Sequence, residues 1–185
     1  PRKSPDRTLG LALILITLAM LVASGIHPTD RLTWWMEVIW VVVGLPLVVL
    51  AWPRFPLTRL LCVLLVIHAG ILVLGGHYTY AKVPLGDWFR EWFDLSRNHY
   101  DRLGHFAQGF VPAILARELL LRRTGLKAGA WLFYLCVSCA LAFSAFFEMI
   151  EWWAAVIMGG AADAYLATQG DIWDTQWDMF LAMCG

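Results

Sequence analysis

Charge is scarce in this chain. Only 15% of its 185 residues are charged, and 14 basic residues balance 14 acidic ones. A soluble domain carries about 25% charged residues. With no net positive charge there is no electrostatic case for binding nucleic acid. No Gly-x-Ser-x-Gly elbow and no glycine-rich phosphate loop occurs, which disfavours a covalent serine hydrolase or a P-loop enzyme. No Glu-x-x-His or His-Glu-x-x-His motif occurs, so the usual zinc-protease and di-iron signatures are missing. Internal repeats, low-complexity tracts and linkers are also lacking, as is a small-residue cleavage site after the first apolar run. Cys62, Cys136, Cys139 and Cys184 all lie in apolar runs and read as small buried hydrophobes.

What is present is hydrophobicity. The chain is 60% apolar and contains eleven Trp, which suit interfacial aromatic belts. About 20 apolar residues are needed to span a bilayer. Candidate spans cover 9–26, 34–51, 57–76, 102–121 and 128–158, and a sixth starts near Asp171–Asp174 and is cut short at Gly185. Between the third and fourth, Leu85, Trp88, Phe89, Trp92 and Phe93 recur at helical spacing. They predict a short amphipathic helix on the membrane surface. The expected fold is therefore all-α: one integral membrane domain over 1–185, a bundle of about six spans, with its motifs concentrated in 77–178. The chain begins with Pro rather than Met and ends inside an apolar run, so it is expected to be trimmed at both ends.

Basic residues set the expected orientation. With the N-terminus inside, nine Lys and Arg fall on inner segments (Arg2, Lys3, Arg7, Arg54, Arg59, Arg117, Arg122, Arg123, Lys127). Five fall outside (Arg31, Lys82, Arg90, Arg97, Arg102). A multi-pass protein with a cytoplasmic N-terminus is predicted.

Against this apolar background three polar clusters stand out: Asp101-x-x-x-His105-x-x-Gln108, Glu148-x-x-Glu151 and Asp171-x-x-Asp174-x-x-x-Asp178. Each spacing puts its side chains on one helix face. Ionisable groups at membrane depth are costly and usually face a protein interior or a wet cavity. The expected topology brings all three clusters to similar depth near the extracytoplasmic side. His99, Asp163 and His77 extend the set of candidate ligands. Crowded carboxylates repel, and a bound cation would relieve them. Carboxylates with an imidazole suit Zn, Mn or Fe, and an oxygen-only set suits Mg.

The sharp reading is a divalent metal held by His105, Glu148, Glu151, Asp171 and Asp174. Asp101 and Gln108 would orient the ligands, and His99 and Asp178 would serve as catalytic acid or base. Such a site would hydrolyse a lipid or envelope-linked substrate at the outer leaflet. Two rivals come from other classes: a transporter or ion- or lipid-binding protein using the acids as a proton or cation pathway, and a structural envelope module. In the structural reading, Arg97 and Arg102 neutralise Glu148 or Glu151, and Asp101, Asp171 and Asp174 cap helices. His68 reads as a core histidine, and Tyr78, Tyr80 and Tyr100 as belt tyrosines. Oligomeric state is not legible.

The stretch from His99 to Pro112, with Phe147-Glu148-Met149-Ile150-Glu151-Trp152-Trp153 and the run from Thr168 to Asp178, resembles the YjdF-like family of bacterial inner-membrane proteins. The resemblance implies a bacterial inner-membrane location and brings no established activity. A weaker likeness is to VanZ-like membrane proteins. Asp101-Arg102-Leu103-Gly104-His105-Phe106 is similar to their first motif, and Glu148 to Glu151 and Asp174 to Asp178 to the next two. Here Glu151 stands for a Gln and Asp178 for an Asn, so this chain is the more acidic one. That likeness implies a link to the cell envelope.

Overall fold

The computed structural model describes residues 6–185, with side chains at all of these except 161–164. Arg2, Lys3 and the side chain of Asp163 lie outside the described residues. The long helices are α1 (Arg7–Ser24), α2 (Arg31–Ala51), α3 (Arg59–Tyr78), α5 (Tyr100–Arg123) and α6 (Ala130–Met158). A short α4 (Pro84–Trp92) precedes α5, and α7 (Asp163–Leu166) and α8 (Asp174–Cys184) follow α6. No strand occurs among the described residues. The all-helical expectation holds, and the predicted spans shift only by a few residues at their ends.

Among the described residues, α1, α2, α3 and α6 are long and apolar enough to cross a membrane. Their outward faces are uncovered leucine, valine and isoleucine, such as Leu15, Leu50 and Ile157. Polar caps fix where they begin. Asp6 accepts from the Leu9 amide at 2.8 Å, Asp30 from the Thr33 amide at 2.7 Å, and Thr58 from the Leu61 amide at 3.3 Å. Each satisfies a backbone donor that the first turn leaves unpaired. The Thr33 amide also holds the Asp30 carboxyl below its ordinary range.

The fifth helix is different. At 24 residues it is long enough to span, about 36 Å, but it carries Asp101, Arg102, His105, Gln108, Arg117 and Glu118. It occupies the middle of the bundle and packs against α3, α6 and α8. Its approach to α8 depends on Gly109, where an added Cβ would lie 1.9 Å from the Ala182 carbonyl oxygen. Small residues permit such backbone contacts between membrane helices.

At the opposite end of α5, Glu118 bonds to the Thr58 hydroxyl and accepts from Arg122 at 3.0 Å. Arg122 also donates to the Pro56 carbonyl at 2.8 Å and lies 3.7 Å over the Phe55 ring. This set ties α5 to the start of α3 by interactions internal to the protein.

α4 is the amphipathic helix predicted from aromatic spacing. Trp88, Phe89 and Trp92 are exposed. Asn98 anchors the chain beneath it: its amide donates to the Val83 carbonyl at 3.0 Å and to Asp87 at 3.2 Å, and its oxygen accepts from the Tyr100 amide at 3.0 Å. Gln169 completes the anchor, accepting from the Asn98 amide at 3.0 Å and donating to the Asn98 carbonyl at 2.8 Å.

Candidate metal centre

Two polar layers meet where α5, α6 and α8 converge. The first is an arginine–aspartate lattice. Arg97 Nη1 lies 2.6 Å from Asp174 Oδ1 and 3.4 Å from Asp171 Oδ2, and Arg102 Nη2 lies 2.7 Å from Asp171 Oδ2. Asp171 sits in the turn before α8, where it also accepts from the Trp173 amide at 2.9 Å. His99 lies 3.3 Å from Arg102 through Nδ1. Burial, then Arg102 and Arg97, hold its imidazole below the ordinary histidine range. The arginines thus meet Asp171 and Asp174, not Glu148 or Glu151.

The second layer contains no arginine or lysine ion pair among the described residues. His105 Nε2 lies 3.6 Å from Asp101 Oδ1 and 3.9 Å from Asp178 Oδ2, while its Nδ1 lies 3.7 Å from Glu148 Oε1. All four side chains are buried. These separations are too long for hydrogen bonds. One ligand atom each from Asp101, His105 and Asp178 fits within 4.8 Å of the others. Ligands held about 2.0–2.2 Å from one ion lie roughly 3–4 Å apart, so the spacing suits a shared cation. His105 Nδ1, Glu148 Oε1, Asp178 Oδ1 and Gln108 Nε2 are buried without a hydrogen-bond partner. Buried polar atoms are ordinarily satisfied, so four orphans in one place require an explanation.

The helical spacing accounts for the convergence. Asp101, His105 and Gln108 follow one face of α5, and Asp174 and Asp178 one face of α8. Glu151 is half-buried one turn beyond Glu148, within electrostatic reach of Asp101 and Glu148. His77 is engaged elsewhere, its Nδ1 2.8 Å from the Ser24 carbonyl.

A cavity of about 50 Å³ opens beside the cluster, lined on one side by Asp101, His105 and Gln108. Its other walls bring in groups that sequence reasoning passed over. Glu37 of α2 lines it and is only 2% exposed, and His68 lines it with its Nε2 unpartnered. Tyr80 and Tyr100 are buried rather than lying in an interfacial belt. Tyr80 lines the cavity with Glu37, and Tyr100 donates to the Ile71 carbonyl at 3.1 Å. The Tyr80 ring fits because Gly75 has no Cβ, which would lie 2.3 Å from it. A lone acid inside the second apolar run was the available signal for Glu37.

A family model described as "Predicted membrane protein (DUF2238)" matches residues 9–185. The chain is 50% identical over 177 residues to "Inner membrane protein YjdF" of Escherichia coli (strain K12), covering 96% of this chain and 84% of that protein. No solved structure matches.

Proposed function

The chain belongs to the DUF2238 family of membrane proteins, and from that premise we propose that it is a metal-dependent hydrolase of the bacterial inner membrane, its N-terminus cytoplasmic, acting on a lipid or envelope-linked substrate at the outer face. The observation that carries this reading is the buried group of Asp101, His105 and Asp178, with ligand atoms within 4.8 Å of one another. Their donor set, one imidazole and two carboxylates, suits Zn, Mn or Fe better than Mg. His105 Nε2, Asp101 and Asp178 are the ligands in this reading.

Glu148 Oε1, 3.7 Å from Nδ1, is the carboxylate on that side of the imidazole and would orient it on closing to hydrogen-bond distance. Asp171 and Asp174 hold Arg97 and Arg102 in place beside the ligands. Both guanidinium groups are paired with these aspartates, and their Nε–H groups, buried without partners, are the donors left for an anionic oxygen of the substrate. His99, the half-buried imidazole next to Arg102, is held in its neutral form and is the proton acceptor in this reading. A divalent cation in such a site supplies Lewis acidity and an activated water.

Elemental analysis with anomalous scattering on the purified protein tests the reading. It requires one transition metal per chain beside His105. A metal-free protein that takes up neither Mn²⁺ nor Zn²⁺, or a His105→Ala protein that keeps its metal, would remove it.

A further inference from the structure

The cavity beside the cluster has a second acidic wall residue, Glu37, with chemistry of its own. Glu37 is 2% exposed, and its Oε2 has no hydrogen-bond partner. No ion pair among the described residues reaches it. A carboxylate held this deep without a cation is costly. The walls around it are aromatic: Trp40, Tyr80, Phe143 and Phe147 line the same cavity. Trp40 meets Phe143 edge-on at 5.5 Å, and Phe147 at 6.1 Å, so the rings brace one another and need no rearrangement. Asp101, His105 and Gln108 line the cavity as well, and Glu37 is the carboxylate in it that no proposed cation uses. A buried carboxylate with aromatic rings beside it is the chemistry that recognises an organic ammonium.

Size narrows the class. One water-sized group occupies roughly 10–15 Å³ on this measure. The whole cavity, including the wall formed by Asp101, His105 and Gln108, is about 50 Å³, so an occupant beside Glu37 has at most about four non-hydrogen atoms, the size of ethanolamine. A trimethylammonium head group overfills it.

We infer that this cavity binds, beside Glu37, the primary ammonium of an amine-bearing head group, with Glu37 as its counter-ion and Trp40, Phe143 and Phe147 lining its walls. The inference deepens the hydrolase reading, and rests on it, in one respect: it gives the substrate an amine. The binding itself needs no metal. A free amine and a lipid head group share this chemistry, and the experiment separates them.

Calorimetry on the full chain in detergent, without added metal, uses ethanolamine and choline as probes. Ethanolamine binds the unmodified protein and choline binds more weakly. Glu37→Gln weakens ethanolamine by about tenfold or more, and Trp40→Leu weakens it too. Native mass spectrometry from vesicles of mixed phosphatidylethanolamine and phosphatidylglycerol gives the source. Preferential retention of the amine lipid, lost in Glu37→Gln, assigns a lipid head group. Binding of free ethanolamine alone assigns a soluble amine.

Absence of binding to both amines, or a Glu37→Gln protein that binds as the unmodified one does, overturns the inference. Retained Mn²⁺ uptake shows that Glu37→Gln is folded; if it is not, Trp40→Leu carries the comparison, and unchanged binding there overturns the inference equally. Ethanolamine binding without Mn²⁺ uptake removes the hydrolase reading and leaves the ammonium pocket. Mn²⁺ uptake without ethanolamine binding does the reverse.

Discussion

Arg97 Nη1 stands 2.6 Å from Asp174 Oδ1, with both side chains buried, one turn of α8 from the unpaired Asp178. The same helix therefore supplies one acid to an arginine and another to the proposed cation. Removing one partner of a buried ion pair leaves the other uncompensated, at a cost of about 3–5 kcal/mol. Arg97→Leu is expected to lower the thermal unfolding midpoint in detergent markedly, and Arg97→Leu with Asp174→Leu to recover much of the loss. A midpoint unchanged by Arg97→Leu would show that the pair contributes nothing.

The two nitrogens of His105 have different neighbours, so mutations around them separate. Asp178→Asn removes a ligand and is expected to abolish stoichiometric Mn²⁺ or Zn²⁺ uptake. Glu148→Gln, acting through Nδ1, weakens uptake by about 10–100-fold. Asp171→Asn leaves uptake within a few-fold, because its carboxylate faces guanidinium groups. Metal titration by calorimetry ranks the three. Equal losses from Asp171→Asn and Asp178→Asn would contradict the division.

Gly109 sets how near α8 can come. Even Gly109→Ala puts a methyl group against the Ala182 carbonyl, and overpacking of this kind costs about 1–3 kcal/mol. As α8 is displaced, Asp178 moves away from His105, so cation uptake falls together with thermal stability. Full uptake in a stable Gly109→Leu protein would show that the helices do not depend on this contact.

Asp30 gives a pH dependence of known sign. Its carboxyl is held below the ordinary value of 3.8, chiefly by the Thr33 amide it caps. The contribution is complete above that value and is lost as pH falls through the folded-state pKa. Asp30→Asn keeps the cap and flattens this part of the stability profile, whereas Asp30→Ala costs about 1 kcal/mol at neutral pH. Unfolding midpoints from pH 7 to pH 3 check both, and an Asp30→Asn profile as steep as the original would refute the assignment.

The sequence made some of this legible and not the rest. Runs of about 20 apolar residues mark α1, α2, α3 and α6, because the bilayer demands that length. The polar α5 was visible through the spacing of Asp101 and His105. Helical periodicity tells which side chains share a face, but not what faces them. It grouped Asp174 with Asp178 and could not reveal that Arg97 takes the former while His105 approaches the latter. Glu37 shows the same limit. Its neighbours Tyr80 and Asp101 come from distant parts of the chain, so no local pattern surrounds it.

The polarity of α5 also bears on how the protein is made. Polar and charged residues reduce what a helix gains on entering lipid, even where, as with Asp101, Arg102, Arg117 and Glu118, they stand toward its two ends. α5 is the least apolar of the long helices and falls outside the set able to cross a membrane by composition. Its strongest companion, α6, is synthesised immediately after it. Insertion of α5 is therefore expected to depend on α6, the two entering the lipid together as a hairpin. A defect in α6 would then appear first as a misinserted chain cleared by proteases, before any deficit at the site could be measured.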